Sequence, residues 1–272
     1  MKTKLHHLPP IPTTAAIAVL LTLASPALHA QATLNGTDAY TQDFDTLRTH
    51  SGSGTTTFTF TNNSTLAGWY STVGGSNSGR ASSGSQATSG TIYSWGPSDG
   101  TDRALGLFTG SADGFTSTAW LGLQLQNTSG ATIDSVTLTF DVEQWRRNTN
   151  PTTWAFSYLA TAESGSQLTA AGYTTNPQGN VTSLVTGSAS GLNGNADDNR
   201  RTVSVTLTGL DWQAGGYLWL RWGSDQPATA AGLGLDNLKV EVAPIPEPGA
   251  VALLAGSLVL LAGFAFRRRR AG

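Results

Sequence analysis

The sequence predicts an all-β fold, an antiparallel β-sandwich of the jelly-roll kind, with an N-terminal signal peptide and a C-terminal single transmembrane helix added to it. Three observations predict it. Between the two ends, apolar residues recur with period two in seven segments and almost nowhere with a helical period. The connecting segments are rich in Ser, Asn, Asp, Pro and Gly, of which the chain has 32, and these supply turn-forming and positive-φ positions. Charged residues make up only 12 % of the chain against 39 % apolar, with 8 Trp and 9 Phe, a composition that builds a packed core.

Taken in order, residues 1–30 read as a secretory signal peptide: Lys2 and Lys4, the apolar run 15–23, then Ser25-Pro26 and small residues. Cleavage is expected after Ala30, or after Ala32 if Ala30-Gln31-Ala32 is the recognised site. Residues 31–243 form the β-sandwich domain. Their strands are expected at 55–61 (TTTFTFT), 119–126 (AWLGLQLQ), 135–143 (SVTLTFDVE), 154–159 (WAFSYL), 202–208 (TVSVTLT), 217–222 (YLWLRW) and 233–242 (LGLDNLKVEV), with 66–69 and 105–108 as further candidates. Segments 74–90 and 176–199 carry too few apolar residues to pack and are expected as surface loops.

The last strand breaks parity. Leu233 and Leu235 face one way, and Leu238, Val240 and Val242 resume alternation only after a slip at Asp236-Asn237, which predicts a bulge there. Near the start, Asp43 and Asp45 flank Phe44, and in a jelly roll the first and last strands are often neighbours. Asp43, Asp45 and Asp236 are therefore a candidate calcium site, since three carboxylates meet only around a hard cation; the simpler reading is strand-end carboxylates capping turns in water.

Residues 244–272 form a tripartite tail: Pro246-Glu247-Pro248, the apolar stretch 250–266 and Arg267, Arg268, Arg269 and Arg270. Seventeen helical residues rise roughly 26 Å, just enough to span a hydrocarbon core of about 30 Å. The arginines would stay cytoplasmic and leave the body outside that membrane. This tail resembles the PEP-CTERM sorting signal of Gram-negative bacteria, in order and in position. The resemblance implies an exosortase-type processing enzyme as partner, with Pro246, Glu247 and Pro248 as its recognition segment, an inner-membrane precursor, and a final place at the cell surface or in extracellular polysaccharide. A plain C-terminal anchor with a Pro-rich hinge is the simpler alternative. Along the body, Asp43-Phe44-Asp45-Thr46-Leu47, Asn62-Asn63-Ser64-Thr65, Gly68-Trp69-Tyr70, Tyr93-Ser94-Trp95-Gly96, Asp102-Arg103-Ala104-Leu105-Gly106, Glu143-Gln144-Trp145-Arg146 and Leu233-Gly234-Leu235-Asp236-Asn237-Leu238 together resemble a bacterial extracellular β-sandwich module. The two edge motifs are also similar to lectin-like jelly rolls such as MAM-type domains, which implies cation binding.

Chemistry is mostly excluded. Zero Cys removes disulfides, thiolate nucleophiles and Cys-based zinc sites. Residues 31–243 hold nine Lys/Arg against sixteen Asp/Glu, a net of −7, which repels nucleic acid. His50 is the one histidine of the body, expected as a solvated loop residue, and no nucleophile elbow accompanies it. Asp141 and Glu143 share a strand face about 7 Å apart, a weak match to a glycosidase pair, and are expected instead to pair with Arg146 and Arg147. Trp120, Trp219 and Trp222 lie in apolar strands and read as core. Among the tryptophans near strand ends, Trp69, Trp95 and Trp145 are the candidate glycan-binding platform, with a role as core or brace as the simpler reading. The sequence thus predicts a non-enzymatic exported protein, with a carbohydrate-binding module carrying structural calcium as the alternative and an extracellular glycoside hydrolase last.

Overall fold

Each of the seven period-two segments forms a strand. The computed structural model describes residues 31–73, 75–85, 91–108, 118–225 and 229–243. In chain order the strands are β1 (Thr33–Leu34), β2 (Tyr40–Gln42), β3 (Thr56–Phe60), β4 (Trp69–Ser71), β5 (Gly75–Ser82), β6 (Thr91–Trp95), β7 (Ala104–Phe108) and β8 (Ala119–Asn127). They continue with β9 (Val136–Arg147), β10 (Thr153–Thr161), β11 (Thr174–Thr175), β12 (Val181–Thr182), β13 (Ser190–Gly191), β14 (Arg200–Leu207), β15 (Tyr217–Ser224) and β16 (Gly232–Val242).

Seven strands form one sheet in the order β1-β8-β15-β10-β11, with β12 also on β10 and β4 on β8. Nine form the other, β13-β9-β16-β7-β6-β5-β3, with β14 on β9 and β2 on β16. Pairing is antiparallel except for β1 with β8 and β5 with β6, so the sandwich is mixed at two places. The sheets meet through their apolar parities. Leu121, Leu123 and Leu125 of β8 and Leu218, Leu220 and Trp222 of β15 share one buried cluster with Val136, Leu138, Phe140 and Val142 of β9 and Leu233, Leu235, Leu238 and Val240 of β16. Burying each such side chain contributes about 1.5–3 kcal/mol, which is why the parity of these strands decides the fold. Trp222 sits at the centre, edge-on to Phe140 at 5.6 Å and stacked on Trp69 at 6.4 Å, with its N–H donating to the Gly179 carbonyl at 3.0 Å.

The bulge falls where the parity break places it. Asp236 pairs with Asp141 and Lys239 with Thr139, so two residues of β16 stand against Phe140 alone, and Asn237 takes φ 49°. The slip keeps Leu235 and Leu238 both in the core and turns Asp236 to the outer side of the nine-stranded sheet. The strand that ends just before Asp43, β2, pairs with the last strand, β16, as expected of that segment, whereas β1 pairs with β8 in the other sheet.

Two expectations are corrected. Segment 74–90 was expected as a loop, but Gly75–Ser82 is a strand, antiparallel to β3 and parallel to β6. Gly79 permits this: a Cβ there would lie 2.5 Å from the Phe58 ring that packs over it. The second correction concerns the single transmembrane helix of the expected fold. Among the described residues no helix is long and apolar enough to cross a membrane, and the helical backbone is confined to the 3-10 turns Pro177–Gly179 and Asp197–Asn199. Among the described residues the fold is accordingly a β-sandwich without a membrane-spanning helix, and nothing in them supports the expected membrane-held precursor or its localisation. The signal peptide at 1–30, the span 250–266, and Pro246, Glu247, Pro248, Arg267, Arg268, Arg269 and Arg270 lie outside the described residues.

Candidate functional site

The three candidate platform tryptophans are interior. Trp69, Trp95 and Trp145 are 0, 0 and 2 % exposed and offer no free ring face to a sugar. Trp69 belongs to the main core, packed against Phe44 at 5.0 Å. Trp95 and Trp145 belong to a second, smaller core with Tyr93, Ala104, Phe108 and Ala230 on the outer side of the nine-stranded sheet. Their indole N–H groups are spent internally, on the Leu233 carbonyl and on Glu143.

This second core also takes in charge. Glu143, the expected solvent-facing partner of Asp141, is buried, and so are Asp236 and Arg103. Burial pushes the Glu143 carboxyl up to about 7, against the hydrogen bond from Trp145, and pushes Asp236 up to about 8 with help from the neighbouring Glu143 charge. Arg103 is lowered by burial to about 10 and remains a cation at neutral pH. Its guanidinium donates to the Ser94 hydroxyl at 2.9 Å, the Pro97 carbonyl at 3.2 Å and the Ser94 carbonyl. His50, expected in solvent, is buried beside this group, and neither ring nitrogen has a hydrogen-bond partner among the described residues. Burial, then the Arg103 charge, holds its pKa below the usual imidazole value.

Asp43, Asp45 and Asp236 do not converge as ligands. Phe44 adopts φ 59° and drives its ring into the core, which leaves Asp43 outside, accepting from the Asp45 backbone N–H. Asp45 accepts from the Arg103 backbone N–H and Asp236 from that of Asn237. Among the described residues no group of three or more His, Cys, Asp or Glu is placed to hold a metal ion. Asp141 and Glu143 are likewise separated in environment: the half-exposed Asp141 accepts from the Thr202 hydroxyl, whereas Arg146 and Arg147 donate to the carbonyls of Gly84 and Ser188.

The partly exposed aromatic surface lies on the outer face of the seven-stranded sheet. Register sets its lattice: Tyr217 between Thr161 and Gln126, Trp219 between Leu159 and Gln124, Arg221 between Ser157 and Gly122, and Gly223 between Ala155 and Trp120. Tyr70 extends the third row from β4. Trp120, Gln126, Tyr173, Tyr217 and Arg221 are half-buried, so each retains surface. The Arg221 guanidinium is sandwiched between the rings of Trp120 at 4.0 Å and Tyr173 at 3.4 Å. It also donates to the Ser157 hydroxyl at 3.0 Å and to the Leu168 carbonyl at 2.7 Å. Burial raises the Tyr173 phenol and lowers Arg221, leaving a neutral ring against a cation. The signal for this face was present in the sequence: with Leu121, Leu123, Leu125, Leu218 and Leu220 inside, parity puts Trp120, Trp219 and Arg221 on the opposite side.

No family model matches the chain, and no curated protein matches it. Solved structures with some likeness include the CBM22-1 xylan-binding domain of Paenibacillus barcinonensis Xyn10C, at 11 % identity over 79 % of this chain and 99 % of that one, with a TM-score of 0.32. A family 16 carbohydrate-binding module aligns at 13 % identity over 53 % and 79 % of the two chains, TM-score 0.26. The enzymatically active domain of tailspike protein 4 from bacteriophage CBA120 aligns at 9 % identity and TM-score 0.30 over 52 % of this chain, which spans only 16 % of that one. At these scores the likenesses say nothing about a ligand.

Proposed function

We propose that the chain is a non-enzymatic carbohydrate-binding β-sandwich module that takes a polysaccharide on the outer face of its seven-stranded sheet. The observation that supports it is the half-exposed stack of Trp120, Arg221 and Tyr173, flanked by Tyr217 and Gln126, on a sheet face against which the second sheet does not pack. A pyranose has an apolar C–H face and a rim of hydroxyls, so it is recognised by aromatic surface next to amide, hydroxyl and guanidinium groups. Here Trp120, Gln126, Tyr217 and Arg221 stand on the paired strands β8 and β15, so these groups lose little conformational freedom on binding, while Tyr173 comes from the loop before β11. Glycoside hydrolysis needs two carboxyls flanking the bond that breaks. The outward positions of this lattice, Trp120, Gly122, Gln124, Gln126, Ala155, Ser157, Leu159, Thr161, Tyr217, Trp219, Arg221 and Gly223, include no carboxylate.

The test is affinity gel electrophoresis against a panel of soluble polysaccharides. Trp120→Ala should weaken retardation by about 10-fold, the usual loss for one aromatic anchor. Thr206→Ala, on the other sheet, should leave it unchanged. Equal retardation of all three proteins by the best polymer would place binding elsewhere on the molecule.

A further inference from the structure

Residues 162–173, between β10 and β11, cross the proposed glycan face as a strap. One apolar side chain anchors it: buried Leu168 sits over Gly122, where a Cβ would lie 2.6 Å from Leu168 Cδ1. Its other holds on the sheet are the Tyr173 ring at its C-terminal end, stacked on Arg221, and three backbone carbonyls. Ser164 accepts from the Gln124 amide at 3.2 Å, and Leu168 and Ala170 accept from Arg221 Nη1 at 2.7 and 3.4 Å. Residues 162–166 are exposed. Beneath the strap, Tyr70 and Trp219 pack at 4.8 Å with Leu168, and the Trp219 indole N–H is fully buried with no acceptor among the described residues. A buried donor left unpaired disfavours the closed arrangement and marks a place where an acceptor fits.

We propose that the strap stands in for the ligand, and that an acidic polysaccharide displaces it, with a uronate carboxylate taking the Arg221 donors now held by the Leu168 and Ala170 carbonyls. This rests on the reading of this face as a glycan site. The sugar's oxygens would serve the Gln124 amide and the orphaned Trp219 N–H. The charge of the ligand follows from Arg221. No carboxylate lies within ion-pair distance of it among the described residues, and its Nη2 makes no hydrogen bond there. With both faces of the guanidinium plane covered by aromatic rings, its edge is the side open to a planar two-oxygen acceptor. Because residues 31–243 carry a net −7, long-range attraction cannot supply the preference, and direct contact at Arg221 must.

Affinity electrophoresis in polygalacturonate and in neutral dextran decides this, using the whole chain, Leu168→Ser, Arg221→Gln and Trp120→Ala, each checked for folding by circular dichroism. Polygalacturonate should retard the unaltered chain more than dextran does. Leu168→Ser, which frees the strap, should strengthen polygalacturonate binding by up to about 10-fold, because less of the protein is held in the closed form. Arg221→Gln should abolish the preference for the acidic polymer. If Arg221→Gln does not fold, the response of Leu168→Ser to the two polymers carries the decision. Equal retardation by both polymers, with no gain in Leu168→Ser but a loss in Trp120→Ala, overturns the strap and leaves the glycan site standing. No retardation of the unaltered chain or of Leu168→Ser by either polymer ends both.

Discussion

The melting temperature should fall by on the order of 10 °C between pH 5 and pH 8, a loss of about 4 kcal/mol carried mainly by Glu143 and Asp236. Both carboxyls are buried, and burial raises them to about 7 and about 8. In the unfolded chain each titrates near pH 4, so between about pH 4 and 8 the folded state holds protons that the unfolded state has released. The stabilisation is therefore complete below the unfolded values and is lost as pH rises through the folded ones. Asp45 and Asp225 are raised as well and act in the same direction. His50, whose pKa is lowered, opposes the trend below about pH 6.5, where the unfolded imidazole gains a proton that the buried ring resists. Asp236→Asn should flatten the profile and make the variant more stable than the unaltered chain at pH 8, because an amide oxygen can still accept from the Asn237 backbone N–H. Thermal melts across this range check it; an unchanged slope in Asp236→Asn would remove Asp236 as the source.

What the sequence revealed and what it hid divide along one physical line. Alternation assigns a residue to one side of a sheet, and the leucines of β8 and β15 were legible for that reason, as was the bulge that reconciles Leu235 with Leu238. Alternation does not say whether the other side meets water or a loop. Glu143 has the parity of a solvent residue, yet loops and the side chains of Trp95 and Trp145 cover that side of the nine-stranded sheet. The same covering buries Trp95 and Trp145, and the main core buries Trp69: nearness to a strand end does not imply exposure, whereas Trp120, inside a strand but on the outward parity, keeps surface. In β5, Gly and Ser gave no pattern because the strand depends on non-local partners, with Phe58 lying over Gly79. The strap was illegible for a related reason, since its buried leucine and its tyrosine find their partners, Gly122 and Arg221, in distant strands.

Replacing Arg103 by methionine should cost at least about 3 kcal/mol, the usual loss when one member of a buried charged group is removed, and lower the melting temperature by roughly 10 °C. The residue is fully buried and ties three segments together. Its backbone N–H donates to Asp45 after β2, while its side chain donates to Ser94 of β6 and to Pro97 in the turn that follows; Ser94 in turn donates to the Arg48 carbonyl. Methionine fills similar space but donates nothing, so the Ser94 and Pro97 carbonyls lose their partners at the full cost of desolvation. It also deletes the cation beside Asp45, Asp102 and Glu143, each of which raises the Arg103 pKa by its charge. Two consequences separate this account from a simple packing defect. The decline of stability with pH should extend further upward in Arg103→Met, since Asp45 and Glu143, already raised by burial, become harder to ionise without the cation beside them. Glu143→Gln should also be more stabilising in the Arg103→Met background than in the unaltered chain, because the missing cation no longer offsets that carboxylate. Additive effects of the two substitutions at pH 8 would show that Arg103 acts through its hydrogen bonds alone.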